Sequence, residues 1–280
     1  MNACKKAGVC PYYYSRWAVE HSQLVLAPYN YITSVSIRHS AQLLSNSDER
    51  ESVLVVDEAH NIEDSLMESF SFTFSENFLE NTVIPPFFYH SLRMDSIPEM
   101  AHQRAEMESL IEATNGLCEL IGSVTLNKVF MSKERHCTIT TEAMEMFANR
   151  LPPLVKLIKA LVRYKILVDE VDEKTITDSE FVKTLNPLIP TYLEMFFFYI
   201  QVFKDYQLSR YFKIIVKENT ELSDREMHVF CLSPSLPMSF IQQSVRSIIF
   251  ASGTLSPLRA MAQELDIIKH PYRSNIISPG

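Results

Sequence analysis

The chain has 280 residues, 46% hydrophobic and 21% charged, a balance that excludes a disordered or fibrous protein and leaves room for one large or two ordinary globular domains. A formal net charge of -8 excludes a surface coated in positive potential, so any nucleic-acid site must be a local groove. Five glycines, far below the usual ~7%, disfavour a turn-rich β-sandwich and favour long helices.

The amino terminus, M-N-A-C-K-K-A-G-V-C-P-Y-Y-Y, lacks an apolar core of signal-peptide length, and five scattered cysteines make no disulfide framework. A short helix is expected over residues 11–21 with Pro11 at its first position. Residues 23–27, Q-L-V-L-A, read as a strand closed by P-Y-N-Y. Residues 37–44 read as a further helix, before the polar turn S-N-S-D-E-R-E-S. Residues 53–56 are unbroken and β-rich, as in a strand buried on both faces of a parallel sheet. This alternation of strand and helix is the pattern of a parallel sheet with crossover connections.

From about residue 74 to 225 the periodicity turns helical. Pro98 opens a segment with Met107, Leu110, Ile111 and Thr114 at helical spacing. Leu154, Leu157, Ile158, Leu161 and Val162 form an apolar stripe, with Lys156, Lys159 and Arg163 on the other side. Residues 191–212 form another helix, with Phe196, Tyr199, Ile200 and Phe203 packing inward as bundle core and not as a base-stacking surface. Residues 188–203 are interrupted by Pro190, Glu194 and Gln201, so they make a buried helix and no membrane span. Strands return at residues 227–232 and 247–251, the second followed by S-G-T-L-S-P. Ser256 and Pro257 then cap and open a helix to residue 265.

The chemistry concentrates where residues 53–64 read V-L-V-V-D-E-A-H-N-I-E-D. Asp57 and Glu58 fall at the carboxyl end of a strand, where open α/β sheets place their ligands. In nucleotide motors an acid at that place holds Mg²⁺ through water and its neighbour orients the attacking water, the Walker B arrangement. The competing reading is an acidic first helical turn. The full D-E-A-H after a V-x-V-V strand favours the motor. Between His60 and Ser252 lie 191 residues (252 - 60 - 1). A minimal motor brings its S-x-T strand soon after the acidic box, so this spacing implies an inserted domain.

These motifs together resemble the iron-sulfur DNA helicases of superfamily 2, the group of XPD and FANCJ. C-P-Y-Y-Y-S-R at residues 10–16 is similar to the family's last cluster cysteine and following helix. A-P-Y-N-Y-I at 27–32 resembles its P-Y-N-Y-L element, V-V-D-E-A-H-N-I-E-D at 55–64 its motif II, and S-G-T-L-S-P at 252–257 its motif III. The resemblance spans nearly the whole chain, although its motifs cover only the two ends, and the P-Y-N-Y and H-N-I-E-D forms lean towards the FANCJ-like and telomere-helicase branch. It implies an α/β fold. Residues 1–75 would be part of a RecA-like motor domain, with the edge of the iron-sulfur region at 1–10. Residues 76–226 would be a helical Arch-like insertion, and 227–280 the return to the motor domain. It also implies a nuclear, ATP-driven motor acting in DNA repair or genome maintenance. Such a motor moves 5′ to 3′ on single-stranded and forked DNA, with a 4Fe-4S cluster and protein partners reached through the insertion.

Roles follow by matching position. Asp57 would hold Mg²⁺ through water, Glu58 would position the water that attacks ATP, and His60 would couple to motif III at Ser252, Gly253 and Thr254. Cys10, before a helix that begins with proline, has its thiolate favoured by the helix dipole and is the expected 4Fe-4S ligand; the alternative is a small buried hydrophobe. Cys4 is a bystander in this scheme, and Cys118, Cys137 and Cys231 pack. Tyr29, Asn30 and Tyr31 suit stacking and backbone contacts to DNA, and equally suit capping of a strand end.

No glycine is followed by lysine, so the phosphate loop G-x-x-x-x-G-K-[ST] does not occur in these 280 residues. One cluster cysteine cannot hold a cluster that needs four. The chain also runs only 23 residues past Pro257 (280 - 257). The expectation is an internal piece of a helicase that is inactive by itself. Two other readings remain: a DEAH-type RNA helicase with an insertion, and a non-catalytic, partner-binding scaffold.

Overall fold

The computed structural model describes residues 10–19, 21–34, 37–38, 43, 52–94, 101–128, 135–172, 185–219, 224–255 and 257–267. The protein is mixed α/β and divides into two compact units. The first comprises Met1–Ser71 and Cys231–Gly280, the second Phe72–Phe230.

The first unit begins with α1 (Pro11–Val19), α2 (Asn30–Thr33), β1 (Val53–Asp57) and α3 (Ile62–Ser69), the last entered through a 3-10 turn at Ala59–Asn61. Pro11 opens α1, and the Cys10 carbonyl accepts the Tyr14 amide at 3.0 Å. Residues 23–27 form no strand. Leu24 and Leu26 are exposed there, because extended backbone becomes a strand only when a neighbour takes up its N–H and C=O groups. Most of the helix expected at 37–44 lies outside the described residues.

The second unit follows: β2 (Phe72–Ser75), a helical stretch of α4 (Glu76–Phe78), a π turn (Leu79–Val83) and α5 (Ile84–Met94), then α6 (Ala101–Ser123), β3 (Asn127–Lys128), β4 (Arg135–Ile139), α7 (Thr141–Arg150), α8 (Leu154–Asp172), α9 (Ile189–Lys204), α10 (Tyr206–Ser209), β5 (Phe212–Asn219) and β6 (Asp224–Cys231). The middle, expected to be a helical insertion over 76–226, carries strands besides its helices. A five-stranded sheet of order β2-β6-β5-β4-β3 runs through the unit, with β2–β6, β4–β5 and β3–β4 antiparallel. The strand read at 227–232 therefore belongs to this sheet and not to the first unit's parallel pair. The helix expected over 191–212 ends at Lys204, since Phe212 already belongs to β5.

Aromatic packing holds the unit together. Phe74 is fully buried, with the rings of Phe72, Tyr192, Phe196 and Tyr199 centred 4.9 to 6.1 Å from its own, all in the edge-on geometry that aromatic pairs favour. Among the described side chains of α8, Leu157, Ala160, Leu161 and Tyr164 are buried, while Ile158 and Val162 are exposed. The apolar stripe read from the sequence is thus rotated, and Arg163 is not a free surface cation: its Nε lies 2.6 Å from Oε2 of the buried Glu106 on α6.

The chain then returns to the first unit with α11 (Ser235–Ser244), β7 (Ser247–Ala251) and α12 (Leu258–Glu264). Strands β1 and β7 pair in parallel, register Val53↔Ser247 through Asp57↔Ala251. Val56, Ala59, Ile62, Leu66, Met238, Ile241 and Leu265 form the core beside them. Among the described residues Val56 of β1 is buried, whereas Val53 and Val55 are exposed, unlike the two-sided burial expected of the strand. Ser256, the expected helix cap, lies outside the described residues. Among the described residues no helix is long and apolar enough to cross a membrane.

Candidate active site

The register of the parallel pair builds the site. Because Asp57 stands opposite Ala251, both strands end at one edge, and the residues that follow them meet although they are 192 apart in sequence. His60 Nδ1 lies 2.9 Å from Ser252 Oγ and 3.3 Å from Glu58 Oε2, and the Ser252 hydroxyl donates to Glu58 Oε2 at 3.3 Å. Thr254 joins at the edge of this group, its amide donating to Ser252 Oγ at 3.3 Å. Gly253 is exposed, and a Cβ built there meets nothing within 4 Å. Ala59, between the acids and the histidine, is fully buried, so it anchors the turn while its neighbours face outward.

Asp57 and Glu58 are exposed, the Glu58 side chain to 65%, leaving both carboxylates accessible to a ligand. The Glu58 amide donates to Asp57 Oδ1 at 3.0 Å. Glu58 itself adopts left-handed backbone geometry, φ 50° and ψ 43°, where a side chain other than glycine or asparagine is strained.

Of the two roles read for the P-Y-N-Y element, DNA contact and capping of a strand end, Tyr29 makes a contact of the second kind. The hydroxyl of Tyr29 donates to the carbonyl oxygens of both Asp57 and Glu58, the latter at 2.9 Å. Burial, and then the charges of Asp57 and Glu58, push the phenol above its ordinary pKa, so it stays a donor at neutral pH. Of its neighbours in P-Y-N-Y, Asn30 is exposed and Tyr31 half-buried. A side-chain donor to a backbone carbonyl leaves no local sequence pattern, which is why the strand end it caps could not be named from the sequence.

Cys10 is exposed just before α1. Cys118 and Cys231 are buried, and burial raises both thiols, Cys118 to about 12. The convergent ligand group among the described residues is Glu76, Glu80 and Cys118, in the second unit and without Cys10. Among the described residues no group of cysteines converges as a cluster site would require.

Residues 1–79 match the DEAD_2 family model. Three curated helicase-group relatives align along nearly the whole chain. It is 26% identical to the Regulator of telomere elongation helicase 1 homolog of Arabidopsis thaliana over 95% of this chain and 26% of that protein. It is 24% identical to the ATP-dependent DNA helicase CHL1 of Saccharomyces cerevisiae, covering 93% and 29%. The Fanconi anemia group J protein homolog of Gallus gallus is 22% identical, with 94% and 23% covered. The chain is similar to the XPD-like iron-sulfur superfamily 2 helicases, the group its motifs resemble. It spans about a quarter of the length of these relatives.

Proposed function

We propose that this chain contributes the hydrolytic acids and the coupling motif of an ATP-dependent DNA helicase that moves 5′ to 3′ along single strands in nuclear genome maintenance. The observation that carries the reading is the contact of Glu58, His60 and Ser252 at the joined carboxyl ends of β1 and β7. A bound Mg²⁺ would neutralise charge on the phosphates. Asp57 would hold it through water, and the Glu58 carboxylate would accept a hydrogen bond from the water that attacks the γ-phosphate. The His60–Ser252 contact lets the strand end carrying motif III sense the charge and position of Glu58. Gly253 and Thr254 complete that motif.

The first unit acts as part of a RecA-like motor domain and the second as its Arch, a surface for protein partners. Cys10 supplies one ligand of a 4Fe-4S cluster, and Asn30 and Tyr31 face the strand being tracked. Unwinding by the full-length gene product tests this reading. Forked DNA with a 5′ single-stranded arm should be opened in an ATP-dependent manner. Preference for RNA forks would favour the RNA-helicase alternative, and no unwinding of either would favour the scaffold.

A further inference from the structure

The left-handed turn at Glu58 is what aims its carboxylate. It swings the chain off the strand end so that Oε2 comes within 3.3 Å of both Ser252 Oγ and His60 Nδ1 while Ala59 stays buried. A glutamate does not hold such a conformation unaided, so something beyond the local sequence must over-determine it. The Tyr29 hydroxyl meets that need. Its single proton is shared between the carbonyl oxygen of the Asp57–Glu58 peptide and that of the following Glu58–Ala59 peptide, from a residue 28 positions before Asp57. Its ring packs partly against the core that also contains Val56, Ala59 and Ile62, so the hydroxyl is delivered from a fixed support. With the Glu58 amide bonded to Asp57 Oδ1, the pair of acids is tied down on both sides of their shared peptide.

We propose that Tyr29 is a positioning residue for hydrolysis: its hydroxyl fixes the Asp57–Glu58 peptide in the turn that points Glu58 at the attacking water, and contact with DNA is not its primary role. This rests on the reading of Glu58 as the hydrolytic acid. It also separates Tyr29 from Asn30 and Tyr31, with which the sequence grouped it. The turn at P-Y-N-Y becomes a mechanical support of the D-E-A-H box.

The test compares wild type, Tyr29→Phe and Glu58→Gln in the full-length protein, by DNA-stimulated ATP hydrolysis and by amide hydrogen exchange. Phenylalanine keeps the packed ring and removes only the donor. The expected result for Tyr29→Phe is a kcat lower by on the order of 10- to 100-fold, as small displacements of reacting groups produce. KM for ATP and the DNA concentration giving half-maximal stimulation should stay within about twofold. Exchange should quicken at residues 58–61 and stay unchanged at 53–56. A wild-type kcat, or a loss confined to the DNA concentration required, overturns the proposal. So does unchanged exchange at 58–61, or loss of protection along all of β1. Hydrolysis surviving in Glu58→Gln would instead refute the proposed function, and the exchange result would still decide whether Tyr29 holds the turn.

Discussion

Replacing Arg163 by methionine puts the packing of the second unit to a quantitative test. Glu106 lies on α6 with its side chain 2% exposed, and its Oε2 is 2.6 Å from Arg163 Nε, while Oε1 is 3.3 Å from Nε2 of the exposed His102. Removing the guanidinium leaves a carboxylate that has lost most of its hydration and its principal counter-ion, and breaking a buried pair in this way costs about 3–5 kcal/mol. Arg163 is itself 32% exposed and His102 can share the charge, so the lower end, about 3 kcal/mol, is expected. For a unit of 159 residues (230 - 72 + 1) that is a fall in Tm of roughly 6–12 °C. Urea denaturation followed by circular dichroism reads it directly. Glu106→Leu combined with Arg163→Met should recover most of the loss, because apolar replacement of a whole buried pair is close to neutral. A cost below about 1 kcal/mol for the single variant is what an exposed pair gives, and it would refute this account of the α6–α8 contact.

Glu63, at the start of α3, has its carboxyl raised from 4.5 to about 7 by burial, by a hydrogen bond with Glu264 of α12 and by the charges of Glu264 and Asp64. The folded state therefore binds a proton that the unfolded state has released, so this stability is present below pH 4.5 and is lost as pH rises through about 7. Because the group is largely solvated, the swing should be about 1 kcal/mol, and Glu63→Gln should remove it from a plot of unfolding free energy against pH. Phe74→Ala empties the centre of the aromatic cluster and should cost about 3–5 kcal/mol in chemical denaturation. Gly253→Ala should leave stability within about 0.5 kcal/mol, since the site is open and its φ is ordinary; a larger loss would mean that the strand end is crowded. Thr140→Ala, which removes the acceptor of the Ala143 amide at the start of α7, should cost about 1 kcal/mol.

What the sequence disclosed was what periodicity and strand ends disclose. The unbroken apolar runs of β1 and β7 are short, yet each leads into a polar motif, and parallel pairing brings those motifs together. The aromatic face of α9 was legible because Phe196, Tyr199, Ile200 and Phe203 recur at helical spacing, and all four are buried. Of the second unit's sheet only β6 was legible, as the strand read at 227–232. Phe72–Ser75 is only four residues long, and Arg135–Ile139, R-H-C-T-I, carries no clean alternation, so both depend on partners far away in sequence. Residues 23–27 failed in the opposite sense, with strand propensity and no partner among the described residues. Arg163 was misplaced because a stripe in one helix says nothing of a buried acid on another. Within the site, D-E-A-H and S-G-T were visible as motifs. The left-handed Glu58 and its Tyr29 anchor were not, since a glutamate is an unlikely occupant of that conformation and a backbone carbonyl has no letter of its own.

The measurement that bears most directly on the central claim is steady-state ATP hydrolysis by the full-length protein with single-stranded DNA, wild type against Glu58→Gln. If Glu58 orients the attacking water, the variant should still bind ATP and DNA while its kcat falls by about 100-fold or more. Equal turnover in the two proteins would contradict the assignment of this strand end as the hydrolytic site.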